Sequence, residues 1–202
     1  MMNSEPTVFI VDDDAAIRQA MEFLMRSVDM RCEVYRSADE FLTAWDETRA
    51  GCIVLDIRMP GMGGLELQER LRERDSSLPI IFFTGHADVP MAVDAMQKGA
   101  FDFIQKPIRD QDLLERIAAA MKEDRAKRAE YERKNEISER VATLTARERD
   151  VMDLVVTGKA NKVVAYELGV SQRTVEIHRA RVMEKMGAHS LADLVRMILE
   201  SQ

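Results

Sequence analysis

The feature that most constrains this chain is an alternation. Five short apolar, β-branched runs, each followed by an amphipathic stretch, fill the first 121 residues. The runs are Thr7–Val11, Arg31–Tyr35, Cys52–Leu55, Ile80–Thr84 and Phe101–Gln105. Helical periodicity occupies 15–28, 38–48, 64–74, 88–98 and 110–121, as in Ile17, Met21, Leu24 and Met25 of the first stretch and Leu113, Leu114, Ile117 and Met121 of the last. Five β-then-α units predict a parallel sheet covered by helices on both faces, and right-handed crossovers leave only a few doubly wound orders. The unbroken run Ile80-Ile81-Phe82-Phe83 predicts a central strand buried on both sides.

The pattern then changes. Residues 122–140 are almost entirely charged, without Pro or Gly, and consist mostly of good helix formers. A solvated helical linker continuing the preceding helix is the favoured reading; a dimerising coiled coil is the other, but Ala126, Ala129 and Ile137 do not hold a heptad. Beyond it, helices dominate. Thr145-Ala-Arg-Glu148 has capping-box spacing before Val151, Met152, Leu154 and Val155, and Gly158 ends that helix. A short helix from about Lys162 to Leu168, a turn at Gly169 and a helix capped by Ser171 over Gln172–Met186 make a helix-turn-helix pattern, followed by a last helix near 191–199. The expected divisions are therefore 1–121, 122–140 and 141–202.

Composition narrows the function classes. With 46% hydrophobic residues the chain can pack a core, and no apolar run approaches the ~20 residues that span a bilayer. Residues 1–7 lack the basic start and apolar stretch of a secretory signal, and Cys32 and Cys52 match no metal or disulfide pattern, so a reducing cytoplasm is expected. A net charge of −7 argues against a general nucleic-acid coat. The charge is uneven, however. Residues 1–121 carry −9, whereas 159–185 hold six basic residues (Lys159, Lys162, Arg173, Arg179, Arg181, Lys185) against three acidic ones. Two jobs are implied.

The chemistry of the first part sits at strand ends. Asp12, Asp13 and Asp14 follow the first run, Asp56 the third, Thr84 ends the fourth and Lys106 follows the fifth. In a doubly wound sheet, the carboxyl ends of the central strands form one crevice where ligands bind. Each residue alone would be an ordinary turn or surface charge. Together they supply a carboxylate nucleophile, oxygen ligands suited to Mg²⁺, and a hydroxyl and an ammonium for phosphoryl oxygens.

This set, with Met59-Pro60-Gly61 after Asp56 and Pro107 after Lys106, resembles the receiver domain of two-component response regulators over residues 7–121. Leu144 to Arg149, Gly158, Asn161-Lys162, Ala165, Leu168 to Ser171, Thr174-Val175 and His178 resemble the LuxR-type helix-turn-helix over 141–200. The pairing is that of the NarL/FixJ family, and the stretch from Thr84 to Val93 is similar to its FixJ, TodT and StyR branch. The resemblance implies a flavodoxin-like receiver, a five-stranded parallel sheet of order 2-1-3-4-5, followed by an all-α four-helix domain. It implies that a sensor histidine kinase donates a phosphoryl group to Asp56. Asp13, Asp56 and the Arg58 carbonyl would hold Mg²⁺, with Asp12 assisting through water; Thr84 and Lys106 would bind the phosphoryl oxygens. Phe103 would be the aromatic switch. The family often has a cis bond at Lys106–Pro107, and His86 receives no role.

On the second part's long helix, Val175, Val182 and Met186 share one stripe and are expected in the core, with His178 buried and hydrogen-bonded beside them. Glu176, Ile177 and Ala180 face the other way, suited to cytosine and thymine edges in double-stranded DNA, together with Arg173. Lys162, Arg173, Thr174, Arg179, Arg181 and Lys185 are expected at phosphates. A single module reads few base pairs, so a homodimer formed on phosphorylation is expected, activating transcription with RNA polymerase as a further partner. Two other readings remain: a receiver signalling through protein contacts alone, and an aspartyl-phosphate phosphotransferase. The latter needs a second acid/base carboxylate near the nucleophile, and Ile57 and Arg58 supply none. A nicotinamide enzyme would need G-x-G-x-x-G after the first strand.

Overall fold

The computed structural model describes residues 5–85 and 88–201. His86, with Met1–Ser4, Ala87 and Gln202, lies outside the described residues. The chain divides into two compact units, Met1–Arg128 and Ala129–Gln202.

In the first unit, β1 (Thr7–Val11), β2 (Cys32–Tyr35), β3 (Gly51–Leu55), β4 (Ile80–Thr84) and β5 (Asp102–Gln105) pair in parallel in the order β2-β1-β3-β4-β5. This is the expected doubly wound sheet. β1, β3 and β4 are buried at every position, and alternate side chains feed two cores. Phe9, Val11, Ile53, Leu55 and Phe82 meet Phe41 of α2 (Ala38–Ala44), Leu67 and Leu71 of α3 (Gly64–Glu73) and Ala95 of α4 (Val89–Gln97). Val8, Ile10, Cys52, Val54 and Ile81 meet Met21 and Met25 of α1 (Ala15–Ser27) and Leu113, Ile117 and Ala120 of α5 (Asp110–Ala142). Packing on both faces leaves the strand ends as the place for polar groups.

Helix α2 departs from expectation in its length and α5 in its burial. Helix α2 stops at Ala44 instead of running to residue 48, because Trp45 turns extended and Asp46 accepts from the Thr48 amide at 2.8 Å, a local turn that competes with the helix. Helix α5 runs unbroken to Ala142, the helical continuation that was expected, but residues near both ends of the stretch 122–140 are buried and not solvated. Asp124 is buried, accepting from the Gly51 amide at 2.9 Å and from Arg128 Nε at 3.0 Å, while Arg128 also donates to the Arg49 carbonyl. Gly51 is required there, since a Cβ would lie 1.8 Å from the Thr7 carbonyl oxygen. The polar composition of residues 122–140 hid a buried carboxylate at one end and a core residue, Ile137, at the other.

The second unit holds the end of α5, then α6 (Ala146–Val156), α7 (Asn161–Leu168), α8 (Gln172–Met186) and α9 (Leu191–Glu200). Thr145 and Glu148 form the capping box, Gly169 ends α7 in the left-handed region at φ 64°, and the Ser171 hydroxyl accepts from the Thr174 amide. Val175 packs with Val151, Val155, Val164 and Ala165. Val182 and Met186 pack with Ile137, Leu144, Met152 and Leu194. The predicted core stripe of α8 is thus the buried one.

Candidate functional site

Four of the strand-end residues come together in the first unit. Asp12, Asp56 and Thr84 are all buried, although each is polar. The amide of Asp12 donates to the Tyr35 carbonyl and that of Asp56 to the Val11 carbonyl, so the ladder fixes both side chains at the sheet's carboxyl edge. Lys106 is set by its own amide, which donates to the Thr84 carbonyl at 2.8 Å, and its bond to Pro107 is cis. From there its Nζ lies 2.6 Å from Asp12 Oδ2 and 3.4 Å from Asp56 Oδ1, and 4.9 Å above the Phe83 ring.

Backbone amides complete the setting. Asp12 Oδ1 accepts from the Asp14 amide at 2.9 Å and Asp56 Oδ2 from the Arg58 amide at 3.0 Å. Burial raises the Asp12 carboxyl above the usual range, opposed by Lys106 and the Asp14 amide. A residue the sequence did not single out, Arg18, donates from Nη1 to the Asp12 carbonyl at 2.6 Å. Its only signal was a basic side chain one turn into α1.

Asp12 and Asp56 converge, whereas Asp13 is exposed and Asp14 caps α1 by accepting from the Ala16 amide. Among the described residues no group of three or more Asp, Glu, His or Cys side chains forms a ready ligand cage. The compensating cation between the two acids is Lys106. The donors nearby are nonetheless all oxygens, with solvent reaching Asp13, which fits Mg²⁺, a hard ion that keeps several waters. Phe103 is partly buried, its ring centroid 6.1 Å from that of Phe82 and against the core below α4.

In the second unit α8 presents an exposed face of Arg173, Glu176, Ile177, Ala180 and Arg181, opposite its buried stripe. Ile177 is 48% exposed on this face. Lys162 is exposed on α7, and the Thr174 hydroxyl lies 2.8 Å from that of Ser171. Two residues expected at DNA phosphates also hydrogen-bond within the unit. Arg179 donates to Asn161 Oδ1 at 3.0 Å, and Lys185 donates to Glu148 Oε2 at 2.6 Å and to the Thr143 carbonyl at 3.0 Å. Their partners lie 18 and 37 residues away, beyond the reach of a helical-face argument. His178, expected buried and hydrogen-bonded, is half-buried, and its Nδ1 has no hydrogen-bond partner among the described residues.

Comparison with known proteins fits both halves. The model of the response regulator receiver domain matches residues 8–118, and that of bacterial regulatory proteins of the luxR family matches 142–198. Transcriptional regulatory protein FixJ of Azorhizobium caulinodans is 44% identical over 192 residues, covering 95% of this chain and 91% of that protein. Response regulator protein TodT of Pseudomonas putida is 41% identical over 197 residues, covering 98% and 87%. A solved structure of the response regulator StyR superposes with a TM-score of 0.90 at 40% identity, covering 98% of this chain and all of that one.

Proposed function

Because this chain belongs to the two-component response regulators that join a receiver to a LuxR-type DNA-binding domain, and so to the regulators of transcription, we propose that Asp56 is its phosphoryl acceptor and α8 its DNA-reading helix. The carboxylate oxygen of Asp56 attacks the phosphorus of a phosphohistidine on a sensor kinase. The N–P bond breaks, its electron pair returns to the imidazole, and an acyl phosphate forms on Asp56. Mg²⁺ bound by Asp56, Asp13 and the Arg58 carbonyl, with Asp12 assisting, would neutralise charge on the phosphoryl oxygens.

The observation that carries this reading is the place of Lys106 between Asp12 and Asp56, with Thr84 buried at the end of the neighbouring strand. An ammonium already shared by two acids can turn to a new anion without leaving the crevice, and the Thr84 hydroxyl donates to a second oxygen. The added charge of about −1.5 to −2 draws Thr84 inward. Phe103 then fills the space vacated beside Phe82, repacking the α4–β5 face so that two chains pair. The phosphorylated homodimer acts in the cytoplasm, activating transcription through contact with RNA polymerase. The positions after Asp56 are Ile57 and Arg58, which supply no acid/base carboxylate of the kind a small-molecule phosphotransferase uses. In the second unit, Glu176, Ile177 and Ala180 meet base edges, while Lys162, Arg173, Thr174 and Arg181 meet phosphates.

The test is sedimentation and DNA affinity of the full chain with and without beryllofluoride plus Mg²⁺. The wild type should dimerise and bind duplex DNA more tightly with the mimic. Asp56→Asn should keep the same circular dichroism and lose the response; a persisting response in that variant would defeat the assignment.

A further inference from the structure

We propose that Lys185 and Glu148 form a positioning pair that fixes how α8 presents its base-reading side chains, and that Lys185 is not a phosphate contact. The inference rests on the DNA-reading role of α8 proposed above.

The geometry ties the last turn of α8 to the first turn of α6. Glu148 is only 2% exposed, and its Oε2 accepts both from Lys185 Nζ at 2.6 Å and from the Thr145 amide at 2.9 Å. The capping box of α6 therefore fixes the carboxylate, and the carboxylate fixes Lys185. The same ammonium donates to the Thr143 carbonyl at 3.0 Å, so two of its three donors are used. A second clasp acts one residue on: Arg140 Nη1 donates to the Met186 carbonyl at 2.7 Å. Gly187 leaves room for it, since a Cβ there would lie 2.8 Å from Arg140 Nη1.

Competition for Lys185 is decided by burial. Turning the ammonium toward a DNA phosphate would strand a carboxylate that is almost wholly removed from water, a heavier cost than one exposed phosphate contact recovers. Lys185 adjoins Glu148 at one end of α8, and Ile177 lies eight residues back, about 12 Å along the axis. A tilt at the clasped end thus swings the residues that face the bases. Val182 and Met186 pack on the opposite side and hold the helix in the unit, but apolar contacts leave its angle softer than charged hydrogen bonds do.

The two readings of Lys185 give opposite signs for Glu148→Gln. If Lys185 served a phosphate, removing a neighbouring acid would free it and tighten binding to any duplex. If the pair positions α8, the variant should lose discrimination instead. The experiment uses the full chain with beryllofluoride and Mg²⁺, and a 30-base-pair duplex selected by the wild type from a randomised pool, against a scrambled duplex of the same length. Glu148→Gln and Lys185→Met should each lower the selected-to-scrambled affinity ratio about tenfold, the cost of roughly one misread base pair. The double variant, which leaves no buried charge unpaired and so keeps the fold, should lose no more than either single change. The slope of log affinity against log salt should be unchanged by Lys185→Met. A slope reduced by about 0.9 per chain, or tighter binding by Glu148→Gln, would overturn the inference. A wild type that prefers no duplex would instead overturn the DNA-reading role beneath it.

Discussion

The carboxyls of Asp12 and Glu148, each bonded to a lysine, shift in opposite directions. Burial outweighs the help Asp12 has from Lys106 and raises it, whereas the Lys185 ammonium, with the Thr145 amide, holds Glu148 down to about 2. For Glu148 the sign of the pH dependence follows. The ionised form is favoured in the folded state, and the unfolded chain takes up its proton near the ordinary value of 4.5. The stabilisation is therefore complete above about pH 4.5 and is lost as pH falls toward 2. We expect hydrogen-exchange protection of α6 and α8 amides to drop from pH 5 to pH 3.5 more steeply in the wild type than in Glu148→Gln. Equal slopes would show that the pair does not hold the carboxyl down. The strand-end acids were legible because a β-branched run marks where each strand stops, and the next residue must then enter the crevice. The partner of Lys185 was not, because it comes from another helix and a pattern along α8 cannot name it.

Periodicity defines an element's type and leaves its ends to single polar contacts, as α2 and α5 both show. The run to residue 48 looked helical, and the Asp46 turn cut it short. The stretch 122–140 looked solvated throughout, and Asp124 binds α5 to the start of β3. A buried carboxylate in a charged segment has no compositional mark, and it lies within the first compact unit, which runs to Arg128. Asp124→Ala would leave the Gly51 amide without its acceptor, and the Arg128 guanidinium without its carboxylate. The expected cost is about 1–3 kcal/mol, that of a buried donor left unsatisfied. Trp45 is the chain's single tryptophan and lies in the same unit's core, so urea unfolding followed by its fluorescence reads this loss directly. An unchanged midpoint would mean the contact anchors nothing.

At the level of the whole chain, charge limits how strongly one copy binds DNA. Residues 129–202 carry twelve basic and twelve acidic side chains, so the DNA-reading unit brings no net attraction to a polyanion. With Arg179 and Lys185 engaged by Asn161 and Glu148, and Lys185 proposed above to stay there, the uncommitted cations on the proposed interface are Lys162, Arg173 and Arg181. Three phosphates neutralised per chain correspond to a slope of log affinity against log salt of roughly −3, and six in a dimer to roughly −5. The phosphoryl mimic should therefore steepen the salt dependence as well as raise the affinity. It should do so in proportion to the dimer fraction seen by sedimentation, because pairing is the only step that brings more cations to the duplex. A tighter complex with the slope still near −3 would mean that phosphorylation releases a masked single unit and that dimerisation contributes nothing to DNA affinity.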